Sequence, residues 1–194
     1  MVPKKYFIHE TAIVETVAIG ENSRIWAFCN VQKGVVLGSN CNICDHCFIE
    51  SNVTLGNNVT VKNGVSLWDG VTVEDDVFIG PHAVFTNDIR PRSKVYHQEV
   101  DKTLIKQGAS IGAGAVIVAG NTIGRYAFIG AGAVVTKNVP DFTIWYGNPA
   151  KMQGYICKCS KQLTFKKEIK KVAQGACTCG MEYELVDGIV ICKS

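Results

Sequence analysis

The chain has 194 residues, enough for one sizeable core and a small appendage but too few for two full domains. Its net charge of +3 is too near balance to point to nucleic acid or a membrane surface as a partner. No run approaches the ~20 apolar residues of a membrane span and the N-terminus lacks the apolar stretch of an export signal, so a soluble cytoplasmic protein is expected; nine cysteines, an odd count, argue against a secreted disulfide framework.

From Ile13 to Phe85 a large apolar residue returns every six positions, through Ile19, Ile25, Val31, Leu37, Ile43, Ile49, Leu55, Val61, Leu67, Val73 and Ile79. Four positions after each stands a smaller or β-branched residue, such as Val17, Ser23, Cys29, Cys41, Cys47 or Val53. A strict period of six fits neither helix nor simple alternation, and hexapeptide periodicity belongs to parallel β-helices. Gly20, Gly38 and Gly56 lie 18 apart. Three hexads therefore make one coil, triangular in section, with both repeat positions pointing inward. About four coils end at Phe85.

The polar, basic stretch 86–104 breaks the phase and reads as an excursion from the helix wall. Ile105, Ile111, Ile117, Ile123, Ile129 and Val135 restore the period, with Ala109, Ala115, Ala127, Ala133 and Val139 in the small slot. About two more coils follow, for about six in all. Gly112-Ala113-Gly114-Ala115 and Gly130-Ala131-Gly132-Ala133 bare the outer backbone to close approach, although tight corners are the plainer reading. Pro140 and Pro149 end the solenoid, which gives a domain over 8–151 and an appendage over 152–194, part of it a lysine-rich segment with some helical character between Lys158 and Lys171.

Cys41, Cys44 and Cys47 could pass for a metal string, but Cys41 and Cys47 fall in the inward slot on successive faces and belong to the core. The pairs Cys157-Lys-Cys159 and Cys177-Thr-Cys179-Gly180 differ: 17 residues apart, they can supply four thiolates to a structural zinc, although zinc ribbons more often use Cys-x-x-Cys, and free thiols remain the alternative.

Coil arithmetic brings chemistry to the excursion's base. Asn87 lies 18 residues after Asp69, which should stand directly beneath it at about one strand spacing, ~4.8 Å, with Ser51 one coil lower. A stacked carboxylate and amide can hold an amine or simply brace a corner. His46 and His82 are two coils apart in one column and do not touch; His82, near Asn87 in sequence, is the candidate histidine.

Leu67-Trp68-Asp69-Gly70, Glu74-Asp-Asp-Val-Phe-Ile-Gly-Pro81 and Phe85-Thr-Asn-Asp-Ile-Arg-Pro-Arg-Ser-Lys94 resemble the nucleotide-linked 3-amino-sugar N-acetyltransferases, over roughly residues 8–152. That resemblance implies an all-β, left-handed parallel β-helix, a homotrimer with active sites between subunits, and acetyl-CoA as co-substrate. It implies a nucleotide-linked 3-amino-3,6-dideoxyhexose as acceptor in surface glycan (O-antigen) biosynthesis. It places Asn87, Asp69 and Asp88 around the sugar amine, with Trp68 in the substrate-binding motif. Gly112, Ala113, Gly130, Ala131 and Lys151 fall along the coenzyme, and Arg92 or Lys94 in the loop could meet the diphosphate. Asp88 after Asn87 leans towards a dTDP-linked acceptor over UDP-linked 3-amino-glucuronate or 4-amino sugars. Two rivals remain: a β-helix zinc carbonic anhydrase, for which no third histidine joins His46 and His82, and a non-enzymatic binding solenoid, which leaves the Asn87-Asp88 pair unexplained.

Overall fold

The computed structural model describes residues 5–95, 99–166 and 172–193. Strands of two or three residues stack into three walls. The first runs Phe7–Ile8, Arg24–Ile25, Asn42–Ile43, Thr60–Val61, Phe78–Ile79, Ser110–Ile111, Phe128–Ile129, all in parallel register. The second wall climbs from Ile13–Val14 to Val134–Val135, and the third from Val36–Leu37 to Thr122–Ile123. Seven stacked strands in the second wall enclose six turns, as the repeat count implies. Arg24 pairs with Asn42 and Asn42 with Thr60, an 18-residue coil in both steps.

The core is the axis of this prism. Ile25, Ile43, Val61, Ile79, Ile111 and Ile129 are fully buried in one column, and Cys41, Cys47, Val59, Val65, Ala109 and Ala127 fill the small slots between columns. Each wall turns into the next at a three-residue edge whose last residue often has positive φ: Asn22, Asn40, Asn58 and Asp76 on one edge, Phe28, His46 and His82 on another. At Gly20 and Gly38 an added Cβ would lie 2.4 Å from backbone of the coil above, so the 18-residue glycine series follows from close stacking.

Three expectations need correction. The first coil is one residue out of phase: Val14, not Ile13, aligns with Val31, and Ile8 with Ile25. Ile13 and Val17 therefore point outward, 61% and 90% exposed, because a one-residue slip flips every side chain to the other face. Val139 does not occupy a small slot; it bridges Ile123, sixteen residues below, in a shortened last coil. The excursion adds 14 residues to the coil, since Val73 pairs with Ile105 across 32, and the wall resumes at Thr103.

Above the last coil, Thr143–Gly147 pairs with Phe128–Ile129 and folds back as an antiparallel hairpin with Ala150–Ile156, which also pairs with Gln162–Leu163. The boundary expected at residue 152 falls inside this strand. Residues 158–166 form a turn and a short strand rather than helix; 167–171 lie outside the described residues. A separate sheet, Val172–Ala176, Glu182–Val186 and Ile189–Cys192, completes the tail.

Candidate active site

The edges decide which candidates can meet. The edge between first and second walls carries His82, Gly112-Ala113-Gly114 and Gly130-Ala131-Gly132, and is called the donor edge after the coenzyme that the resemblance assigns to it. The edge between second and third walls carries Trp68-Asp69-Gly70, Thr86-Asn87-Asp88 and Ala119-Gly120, and is called the acceptor edge on the same ground.

On the acceptor edge, Ser66 aligns with Val84, so Asp69 and Asn87, each three residues further on, stand in one column as the coil arithmetic requires. Asp69 accepts from Asn52 Nδ2 at 3.2 Å through its carboxylate and donates its N–H to Glu50 at 2.8 Å. Ser51, below it, shares Gln32 Oε1 between its amide and its hydroxyl. Trp68 lies half-buried against Phe48, ring centroids 5.3 Å apart, and its indole N–H donates to the Phe85 carbonyl.

The excursion rises from this edge and returns to it. Asp88 accepts from the Arg90 amide at 2.7 Å, and Asp101 accepts from the Ile89 amide at 3.3 Å. A Cβ on Gly70 would lie 2.9 Å from Val100, so that glycine admits the loop, whereas one on Gly120 would make ordinary contact with Ile89 at 3.7 Å. Arg92 and Lys94 are exposed on the loop, where a bridge joins Arg92 to Val95 and Lys94 has positive φ. The loop that carries these two cations springs from the edge that carries the carboxylate and amide column.

His82 sits on the other edge. The strand Val84–Phe85 separates it from Asn87, a span of about 16 Å at ~3.3 Å per residue, so nearness in sequence is not nearness in space within one chain. Its imidazole rests on Gly64, whose added Cβ would lie 2.5 Å from Nδ1, and Gly64 separates it from His46, which stacks on Phe28. The Gly114 amide bonds to the Pro81 carbonyl, which puts Gly114 directly above His82. A shallow hollow lined by Gly64, Ser66, Trp68 and Val84 crosses the second wall between the two edges.

The donor-edge glycines divide into two kinds. At Gly112 a Cβ would lie 2.4 Å from the Ala131 amide, and at Gly130 2.8 Å from Tyr146 Cβ, so coil stacking demands both. Gly114 and Gly132 have positive φ and nothing within 4 Å of the Cβ position. Phe28, His46 and His82 hold the same conformation in this column, so backbone angle alone does not require glycine there. The room lies outside the chain. The sequence placed Gly114 and Gly132 in the two open Gly-Ala-Gly-Ala runs but gave the coenzyme to Gly112, Ala113, Gly130 and Ala131; the side chains down their own column are the signal that sets Gly114 and Gly132 apart. Ala113 and Ala131 are exposed beside them, and Lys151 is exposed on the hairpin, paired with Tyr146 above Gly130.

The internal thiols are structural. Cys41, Cys44 and Cys47 are buried, and burial pushes the Cys41 and Cys44 thiols up. The tail thiols converge: Cys157, Cys159, Cys177 and Cys179 have all four Sγ atoms within 4.8 Å of one another, with Cys157–Cys179 and Cys159–Cys177 at 3.5 Å. The two Cys-x-Cys turns share one construction. The amides of Ser160 and Gly180, both at positive φ, donate to the carbonyls of Cys157 and Cys177, and the Cys157 and Cys177 amides donate to Lys161 and Met181. A tetrahedral ion with metal–sulfur bonds of ~2.3 Å needs sulfurs about 3.8 Å apart, a spacing this cluster fits. The buried Tyr183 hydroxyl donates to Cys157 Sγ at 3.1 Å, the outer-shell contact that orients a ligand.

The bacterial transferase hexapeptide family (six repeats) matches residues 16–51, 52–87 and 102–137. The chain belongs to the bacterial hexapeptide transferases. Among these transferases, the dTDP-3-amino-3,6-dideoxy-alpha-D-galactopyranose 3-N-acetyltransferase of Aneurinibacillus thermoaerophilus is 56% identical over 184 residues, 95% of this chain and 93% of that one. Two solved transferases share the fold. An N-acyltransferase from Bacillus cereus, in complex with dTDP and coenzyme A, superposes with TM-score 0.57 at 18% identity, over 77% of this chain and 82% of its own. A hexapeptide-repeat acetyltransferase from Vibrio cholerae, complexed with acetyl coenzyme A, superposes with TM-score 0.55 at 25% identity, over 63% of this chain and 70% of its own.

Proposed function

We propose that this hexapeptide transferase moves an acetyl group from acetyl-CoA to the 3-amino group of a dTDP-linked 3-amino-3,6-dideoxyhexose. The observation that carries this is near full-length identity of 56% to an enzyme named for that reaction. The carboxylate and amide column beside a cationic loop supports it, because it suits an amine carried on a diphosphate.

The sugar amine attacks the thioester carbonyl, the tetrahedral intermediate expels the coenzyme's sulfur, and the proton lost from nitrogen ends on the departing thiolate. An amine with pKa near 8 is already about one-tenth neutral at pH 7, so orientation and a modest proton acceptor suffice. Asn87 and Asp69 orient the nitrogen, Asp88 steadies the base of the loop, Trp68 lines the sugar side, and Arg92 and Lys94 face the diphosphate. Gly112, Ala113, Gly130 and Ala131 give the coenzyme its groove and backbone donors for the oxyanion, with Lys151 at the phosphate end.

Donor and acceptor edges of one chain stand a wall apart, about 16 Å, whereas the reacting atoms must come within ~3.5 Å. A site shared between copies solves this by facing the donor edge of one chain with the acceptor edge of the next, which supports a homotrimer. His82, on the donor edge, then reaches the amine held by a second copy. The four tail thiolates hold one zinc, which closes a module too small to be stable on its own apolar contacts. The working place of the enzyme is the cytoplasm, where nucleotide sugars and acetyl-CoA are available.

Incubation with acetyl-CoA and dTDP- or UDP-linked 3-amino and 4-amino sugars, read by mass spectrometry, tests the reading. Acetylation of the dTDP-linked 3-amino sugar is expected. Transfer confined to UDP-linked acceptors, or none, overturns it.

A further inference from the structure

The tail's thiol cluster and the coenzyme groove lie at opposite ends of one hairpin. Cys157 directly follows Ile156, the last residue of the strand Ala150–Ile156, and the Ile156 amide bonds to the Phe142 carbonyl. The opposite end of the hairpin rests on the donor edge: the Gly130 amide donates to the Trp145 carbonyl at 2.8 Å, Tyr146 covers Gly130, and Lys151 pairs with Tyr146. The thiols are also packed onto the solenoid. Phe142 stacks on Tyr126 of the last coil at 5.3 Å and meets the Tyr183 ring edge-on at 5.7 Å, while Lys158 Nζ stands 5.3 Å over Tyr126.

The tail's own core is small. It is made of Phe142, Cys157, Leu163, Cys177, Tyr183 and Val190, so two of six buried residues are themselves thiols of the cluster. Cys177 and Cys179 belong to a segment that meets residues 157–166 through that cluster, Tyr183, the Lys161–Thr178 hydrogen bond, the Phe165–Gly175 bridge and the Lys166–Gln174 backbone bond, so at the Cys157 end of the hairpin the cluster and Tyr183 are the contacts. Metal binding in so small a unit is inseparable from its folding.

From this we infer that the metal acts as an end-clamp on the hairpin, and so sets the affinity of the donor edge for acetyl-CoA. The inference rests on the reading of the four thiols as a zinc site. With the metal bound, the strand Ala150–Ile156 is fixed at its Cys157 end and holds Tyr146 and Lys151 against Gly130. Without it, the strand frays from Cys157 inward and the upper rim of the groove loosens. The acceptor pair Asp69 and Asn87, set in coils below the one on which the hairpin rests, keeps its hold on the nucleotide sugar.

The test uses the full-length protein, its Cys177→Ser/Cys179→Ser variant, and wild type stripped by chelator and then resupplied with zinc. Elemental analysis should find equimolar zinc in the wild type and none in the variant. Hydrogen exchange should accelerate across 143–156 in the variant and not in the lower coils, with the Kd for coenzyme A raised about tenfold by calorimetry and the KM for the nucleotide sugar unchanged. Zinc returned to stripped wild type should restore the affinity, which separates loss of the clamp from misfolding. Absence of any metal in the wild type overturns the zinc reading and the inference with it. Zinc present in the wild type, but with coenzyme A affinity and hairpin exchange indifferent to its removal, overturns the clamp alone.

Discussion

The indole N–H of Trp68 donates to the Phe85 carbonyl at 2.9 Å, tying two successive coils together at the edge that carries Asp69 and Asn87. One face of the same indole packs on Phe48. Trp68→Phe keeps the packing and loses the bond, which should cost about 1 kcal/mol of stability. Thermal melting should show a drop of a few degrees, with a raised KM for the nucleotide sugar and an unchanged KM for acetyl-CoA.

Asn87→Ala removes the amide above Asp69 and leaves the wall strand Val84–Phe85 intact. Acetyl transfer should fall about a hundredfold or more with oligomeric state preserved, as read by steady-state kinetics and light scattering. Ser51→Ala, one coil beneath Asp69, touches only the Gln32 contact and should leave turnover within about twofold. Equal losses in both variants would mean that the column is a brace and nothing more.

The donor edge offers a contrast between neighbouring glycines. Gly112→Ala pushes a methyl to 2.4 Å from the Ala131 amide and should destabilise the protein by about 3 kcal/mol. Gly132→Phe enters open space in a conformation that Phe28 already adopts in the same column, so its cost should stay near 1 kcal/mol. Coenzyme A binding should nevertheless be lost in Gly132→Phe while its melting temperature holds, because the ring would fill the groove.

Cys41 and Cys47 stand in slots that Val59 and Val65 fill one coil above. Cys41→Val and Cys47→Val should change stability by less than about 1.5 kcal/mol and leave metal content alone. A loss of bound metal in either variant would contradict their core role.

Much of this molecule was legible because its register is local. Once one coil of 18 is known, each inward residue and each edge column follows by addition, and that alone set Asp69 beneath Asn87. Arithmetic failed where the period is not enforced by neighbours on both sides. The terminal coil slips by one residue so that Val14 replaces Ile13 in the core, and the last coil loses two residues at Val139. Nearness in sequence also made His82 look close to Asn87, since it counts residues and not the turn of a wall between two edges.

By itself, then, the amino-acid order determined the repeat, the inward columns, the place of the excursion and the acceptor pair, because hydrogen bonding between identical coils transmits spacing without ambiguity. Only the tertiary structure decided how the two end coils are phased, which glycines face empty space, and that four cysteines in two distant turns meet. Those depend on where aperiodic segments fold back, as the hairpin at Trp145 and the tail at Tyr183 do, and no rule of spacing carries across such a return.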